Sequence, residues 1–520
     1  MKRVLAGVLL LTVCISGCAA KKPTDAEENT YVSRFKNEER ITLSDEKIEL
    51  NGEPIGENGD VFLSKDIIYY EAKDRYESGN PYGEGDDDDK HTEEEAASHT
   101  VLNITKSGAY RVSGALSKGQ IRVDLGEKAE KNPDAVVELI LDDADITCTV
   151  APAILFMNVY ECDGDWSEDS ANKDVDTSKA GAVLVLADES ENNIEGSYVE
   201  KIFKDEDGEE KLWKQDGAIY SYMSMNVYGG GTMSLTAENE GLDTELHLTI
   251  NGGDINIYSQ NDGINTNEDN VSVTTINGGR LHIVAGLGEE GDGIDSNGWL
   301  VINGGTVTSS ANPGADAGLD SDKGSFINGG TVVALGSTMD WPESDSGQVT
   351  MNLQFMDEQE SGSEIVVKDK NGKVVFSYQP EEQDEAMLRR FRGAVISSTD
   401  FKVNGEYTVY VGDTQQGYFG TDVKFGERKP GNPPELPDGE LPPMPDGEMP
   451  PMDNGERPQK PEGEWHRGEK GERPNFPEGE MSDGARPKMP DDAIYEDAEQ
   501  KTVFTMSDKV NLFAGVGNIK

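Results

Sequence analysis

Glu240-Gly-Leu-Asp243-Thr-Glu245, Asp262-Gly-Ile-Asn265-Thr-Asn267, Asp292-Gly-Ile-Asp295-Ser-Asn297 and Ala317-Gly-Leu-Asp320-Ser-Asp322 are four copies of one short pattern. Asn-Gly-Gly triplets starting at Asn251, Asn277, Asn303 and Asn328 run in step with them, 26, 26 and 25 residues apart. That period belongs to solenoids, in which equivalent residues stack into columns. Asp216-Gly-Ala-Ile-Tyr220-Ser221 aligns as a fifth copy and sets Tyr220 at the head of the column that continues with Asp243.

Aligned, the copies give an aliphatic column (Leu242, Ile264, Ile294, Leu319) and then an acidic or amide column (Asp243, Asn265, Asp295, Asp320). A hydroxyl column (Thr244, Thr266, Ser296, Ser321) and a second polar column (Glu245, Asn267, Asn297, Asp322) follow. Successive strand side chains face opposite ways, so the aliphatic and hydroxyl columns are expected inside and both polar columns outside. Ile250, Ile276, Ile302 and Ile327 before the corners, with Ile255, Leu281, Val307 and Val332 after them, read as further core columns. Asn-Gly supplies the positive φ of a tight corner. The fold class this implies is all-β: a right-handed parallel β-helix with a β-rich N-terminal cap and a C-terminal β segment. A propeller is the weaker reading, because its blades need about 40 residues or more.

The chain has 520 residues, 35% hydrophobic, with 59 glycines, which suits many turns around a narrow core. Its 101 acidic and 46 basic residues give a net charge of -55, which disfavours nucleic acid and anionic membrane surfaces and favours cations. The same acidity would also serve simply to keep an exported protein soluble. Lys2 and Arg3 precede the apolar run Val4–Val13, too short to span a bilayer, and Ile15-Ser-Gly-Cys18 follows. That ending resembles a bacterial lipobox, which implies cleavage before Cys18, lipidation of Cys18 and an anchor on the outer side of the cell membrane. Cys148 and Cys162 lack metal or redox spacing and are expected to form a structural disulfide.

Residues 1–18 are thus a lipoprotein signal peptide, 19–40 a tether, and 41–340 the repeat domain, with its best-marked copies at 216–336. A β-rich extension covers 341–426, with an Asn371-Gly372 hairpin signal. Residues 427–492, rich in Pro, Gly and Glu with few aliphatics, are expected to be a disordered linker. The tail 493–520 regains apolar alternation and reads as a strand that docks back. The linker and tail could also present a cell-wall or protein partner.

Adjacent coils about 4.8 Å apart make stacked carboxylates such as Asp295 and Asp320 repel by roughly 3 kcal/mol at an effective dielectric near 20. A hard cation relieves that repulsion, and calcium takes six to eight oxygen ligands. The candidate metal residues are Asp243, Asp262, Asn265, Asp292, Asp295, Asn297, Asp320 and Asp322. Hydrogen-bonded ladders without metal are the plainer alternative for such columns. Tyr220, Tyr258 and Trp299, with Tyr222 and Trp341, are candidate platforms for sugar rings, although aromatics in such folds also simply pack.

Gly108-Ala-Tyr-Arg-Val-Ser-Gly-Ala-Leu-Ser-Lys-Gly-Gln-Ile-Arg-Val-Asp124, Leu139-Ile-Leu-Asp-Asp-Ala-Asp-Ile-Thr-Cys148 and the Asp-Gly-Ile-Asp-Ser and Asn-Gly-Gly motifs carry a resemblance. Over roughly residues 41–340 the chain is similar to a clostridial carbohydrate-binding domain family. The resemblance implies a calcium-containing parallel β-helix, akin in fold to pectate lyases, that binds cellulose-like and acidic polysaccharides without established catalysis. Many relatives carry histidine where this chain has Asn265, Asp295 or Asp320. Calcium ligation by resemblance therefore extends to Asp262 and Asp292, and the other positions rest on the stacking argument. The expected function is non-catalytic, calcium-dependent polysaccharide binding by a surface lipoprotein. Two alternatives stand beside it: a calcium-dependent pectate-type lyase with Lys323 as base, and a structural or adhesive rod.

Overall fold

The computed structural model describes residues 31–71, 90–164, 167–200, 214–337, 340–360, 362–379, 390–420 and 499–519. Cys18, the signal peptide, most of the tether and the 427–492 linker lie outside them. The described residues belong to one compact unit, and a second, Val423–Asp497, lies outside. Among the described residues the structure is nearly all β, with one α-helix, Glu93–Ser98. Its capping box joins Thr92 and Glu95 and satisfies two helix-end donors reciprocally.

The repeat periodicity shows directly in the strand registers. In a seven-stranded sheet, Gly217–Ser221, Glu240–Thr244 and Ile264–Thr266 lie parallel, with Tyr220 opposite Asp243 and Asp243 opposite Asn265. Backbone bonds carry the stack onward, from Asp295 N to Ile264 O at 2.8 Å and from Asp320 N to Ile294 O at 2.8 Å. The larger sheet holds two more parallel ladders. One runs through Met225–Gly229, Leu248–Ile250, Val273–Ile276, Trp299–Ile302 and Gly324–Ile327. The other runs through Thr232–Ala237, Asp254–Ser259, Arg280–Val284, Thr306–Ser310 and Thr331–Gly336.

The Asn-Gly-Gly corners join these two ladders. The positive φ falls on the second glycine, at 100° for Gly253 and 87° for Gly279, and not on the asparagine. A side chain there would be strained, which is why glycine recurs. Each asparagine is left free to stack. Asn277 Nδ2 donates to Asn251 Oδ1 at 2.9 Å, Asn303 Nδ2 to Asn277 Oδ1 at 3.0 Å, and Asn328 Nδ2 to Asn303 Oδ1 at 2.9 Å.

The aliphatic columns fill the interior as expected. Leu242, Ile264, Ile294 and Leu319 are wholly buried, as are the isoleucines before the corners and the aliphatics after them. Each such side chain contributes about 1.5–3 kcal/mol by leaving water. The ladder ends where Thr331–Gly336 meets Phe391–Ser397 antiparallel. Phe391–Ser397 in turn pairs with Thr350–Gln359, and the C-terminal strand Val510–Asn518 lies parallel against Thr350–Gln359. The tail does dock back, and a separate cluster that includes Phe355, Phe391, Phe504 and Phe513 forms its core.

One expectation fails here. Cys148 and Cys162 are free thiols. Cys148 faces the buried core and hydrogen-bonds the turn backbone at Val150 and Ala151; the Cys162 thiol turns toward Glu161. Burial pushes both up to about 12, so neither is a reactive thiolate.

Candidate functional site

Three carboxylates converge at the head of the acidic column. Asp216, Glu240 and Asp243 are all buried and each brings an oxygen within 4.8 Å of the others. Asn265, one repeat on, donates its Nδ2 to Glu240 Oε1 at 3.2 Å, and Asn267 Nδ2 donates to Asp243 Oδ1 at 2.8 Å. Glu240 Oε2, Asp243 Oδ2 and Asn265 Oδ1 are buried with no hydrogen-bond partner among the described residues. A buried acceptor left without a donor costs about 1–3 kcal/mol, more when charged.

Burial, then the charges of Asp243 and Asp216, raises the Glu240 carboxyl well above the carboxylate range. Burial, then Asp216 and Glu245, does the same to Asp243. Such a cluster stays folded by holding protons or by holding a cation. Its donors are carboxylate and amide oxygens, the hard set that calcium prefers, and they lack the imidazole or thiolate a transition metal favours. The residues present therefore fit a hard divalent cation. Asp216, Glu240, Asp243 and the Asn265 carbonyl would hold it, and its chemistry would be to neutralise the charge and recruit further oxygen ligands. Lys214 enters from the loop side, with Nζ 3.2 Å from Asp216 Oδ2, and its ammonium is held above its usual range chiefly by Asp216.

The columns expected to face solvent are more covered than alternation alone suggested. Asp243 is fully buried, and Asn265 and Asp262 are each 8% exposed. Asp262 and Asp292 each use one oxygen as a cap for the next repeat: Asp262 Oδ1 accepts from Asp292 N at 2.6 Å, and Asp292 Oδ1 from Ala317 N at 2.5 Å. Asn297 Nδ2 bonds Asn267 O at 2.9 Å. Asp295 and Asp320 are half-buried neighbours raised to about 6, Asp322 is exposed beside them, and Asp292 is raised to about 7. Burial leads the causes in each, with the neighbouring carboxylates adding to it.

The aromatic candidates are packed. Tyr220 is fully buried, meets Tyr222 edge-on and donates its hydroxyl to Glu245, so it is no platform for a sugar. Tyr258 stands edge-on to His282, 6.3 Å between ring centroids. Trp299 is half-buried in a patch with Val273, Val301, Phe326 and Val175. Sequence reasoning passed over Asp216, Glu240 and Lys214 as ligand-side residues. Asp216 and Glu240 carried a signal, since both fill the first position of the repeated motif together with Asp262 and Asp292.

An acidic, repeat-built all-β chain with a buried oxygen cluster is the class that the fold and site define. The profile of the carbohydrate-binding domain-containing proteins matches residues 98–375, more than half of the chain. The chain belongs to that family. A carbohydrate-binding domain-containing protein of Acetivibrio thermocellus is 28% identical over 163 residues, which is 31% of this chain and 46% of the relative. The match thus spans about half of that relative's length. Among solved structures, a polysaccharide lyase-like protein from C. thermocellum is similar at 20% identity and a TM-score of 0.33, covering 56% of this chain and 93% of that one.

Proposed function

We propose that this chain is a non-catalytic polysaccharide-binding protein whose buried Asp216–Glu240–Asp243 cluster holds a calcium ion. The observation that carries this reading is the set of partnerless buried oxygens on Glu240, Asp243 and Asn265, which a cation would satisfy together. In this reading the stacked parallel ladders are the faces of one right-handed parallel β-helix. The ion, enclosed by its buried ligands, braces the acidic face to which a uronic-acid-containing glycan binds. Cys18 carries the lipid anchor, and the linker 427–492 acts as a spacer on the outer side of the membrane.

A lyase would need a base beside the cation. Lys323, the candidate in the repeats, is exposed in the Asp320 repeat, while Arg280 is engaged by Asp254 at 2.5 Å and Asn256 at 2.9 Å. Lys214, which does stand beside the cluster, is paired with Asp216 at 3.2 Å and held in its ammonium form, so these placements favour binding without turnover. The test is retention of the purified chain on pectin, with and without EGTA, beside elemental analysis of dialysed protein. Calcium-dependent retention and stoichiometric calcium, both lost in Asp243→Asn, are expected. Dialysed protein without calcium would remove the cation; no retention on any glycan would leave a structural rod. Ultraviolet absorbance of polygalacturonate should stay flat, and a rise abolished by Lys323→Ala would overturn the non-catalytic reading.

A further inference from the structure

Lys214 reaches the acidic cluster from a backbone that is held in place. Its neighbour Gln215 donates its N–H to Val199 O at 3.1 Å, accepts from Val199 N at 2.9 Å, and donates Nε2 to the Tyr222 hydroxyl at 2.9 Å. Asp216 follows, with its side chain 6% exposed. The Lys214 side chain is 52% exposed, and its Nζ lies 3.2 Å from Asp216 Oδ2. A pinned backbone thus carries a half-solvated cation to the edge of a buried anionic site.

The ammonium acts on all three carboxylates. Asp216 attracts it most strongly and Glu240 also does, and it offsets part of the charge on both Glu240 and Asp243. It does not reach the inner oxygens, since Glu240 Oε2, Asp243 Oδ2 and Asn265 Oδ1 are left without a donor among the described residues. A divalent cation would neutralise more charge and satisfy those oxygens as well. It would also stand close to Lys214, in a cluster whose carboxylate oxygens lie within 4.8 Å of one another. Two cations that close repel strongly where water is largely excluded, so both do not stay. Lysine is the one built to leave: its charge is a compact point on a flexible stem, with no bidentate clamp on its partner.

We propose that Lys214 is a tethered counter-ion, which stands in for the divalent cation in the cation-free protein and swings out to solvent when the ion binds. This role rests on the cation reading above and adds to it a built-in competitor that lowers the affinity. Removing the ammonium should therefore tighten cation binding, the reverse of what losing a supporting side chain does. The same coupling read from the other side makes the lysine stabilise the cation-free fold and contribute nothing once the ion is bound. In water the displaced ammonium keeps its proton near neutral pH, so it is no more a base there than when paired.

The test is calcium titration of the full chain against a chromophoric chelator, following the site that Asp243→Asn removes, beside guanidinium unfolding in EGTA and in saturating calcium. Lys214→Met and Lys214→Gln drop the charge at a half-exposed position, and Lys214→Arg keeps it. The two neutral variants should bind calcium at that site at least about tenfold tighter than wild type, and Lys214→Arg no tighter. In EGTA the neutral variants should unfold at lower denaturant than wild type, and in saturating calcium they should match it. A lost packing contact would lower both midpoints and tighten nothing. Calcium bound by wild type, and equally or less tightly by both neutral variants, would refute the counter-ion and leave the cation reading standing. No calcium site in wild type or in either neutral variant would overturn both.

Discussion

Replacing Asp295 by asparagine should stabilise the cation-free protein at alkaline pH and leave it unchanged in acid. Burial, then the charges of Asp320 and Asp322, raises the Asp295 carboxyl from 3.8 to about 6. A group whose folded value exceeds its unfolded value favours folding while protonated. Its contribution is therefore full below pH 3.8 and is lost as pH rises through about 6. A difference of about two units corresponds to about 3 kcal/mol of lost stability once both states are ionised. Asparagine cannot ionise, and its Oδ1 can still accept from the Ser296 N–H that now bonds the carboxylate. The assay is guanidinium unfolding in EGTA at about pH 8 and about pH 4, with the slope compared to confirm that the transition keeps its character. The variant should gain up to about 3 kcal/mol at the higher pH and nothing at the lower. A gain of less than about 1 kcal/mol at pH 8, or an equal gain at both values, would refute the account of this row as buried, mutually repelling carboxylates.

The stacking itself is open to simpler tests. Gly229→Ala places a Cβ 1.9 Å from Leu186 O at φ 104° and should prevent accumulation of folded protein, whereas Gly52→Ala, with φ 86° and open space around it, should cost only about 1–2 kcal/mol by circular dichroism melts. Asn277→Ala removes two ladder bonds and should cost about 1–2 kcal/mol in denaturant unfolding; a cost near zero would show that the ladder contributes nothing. His99 is buried, takes the Thr149 N–H on Nε2 at 3.2 Å and faces Glu95 O with Nδ1 at 2.9 Å, so its neutral form fits and burial lowers it from 6.5. Its depressed value means stability present above 6.5 and lost as pH falls below it, and His99→Asn should flatten that acid limb.

The columns were legible because a stacked repeat turns sequence period into register. Tyr220 over Asp243 and Asp243 over Asn265 fall where the alignment put them, and Leu242, Ile264, Ile294 and Leu319 are buried as the alternation requires. What alternation cannot state is what lies above a strand. It assigned Asp243 outward, yet Asp216, Glu240, Glu245 and Lys214 crowd around it, and all four come from outside the acidic and amide column to which it was aligned. A strict period of two would also put the first and fourth residues of Glu240-Gly-Leu-Asp243 on opposite faces. The structure brings their oxygens together, so strict alternation does not describe this pair. Covering segments escape periodicity for the same reason. Thr177, in the acidic stretch 160–180 that lies outside the marked repeats, bonds Asn226 at 2.9 Å and Thr249 at 2.7 Å across two repeats, and Val175 covers the patch beside Trp299. A repeat thus announces its own stack, and the residues that close over the stack must be read from its one-off insertions.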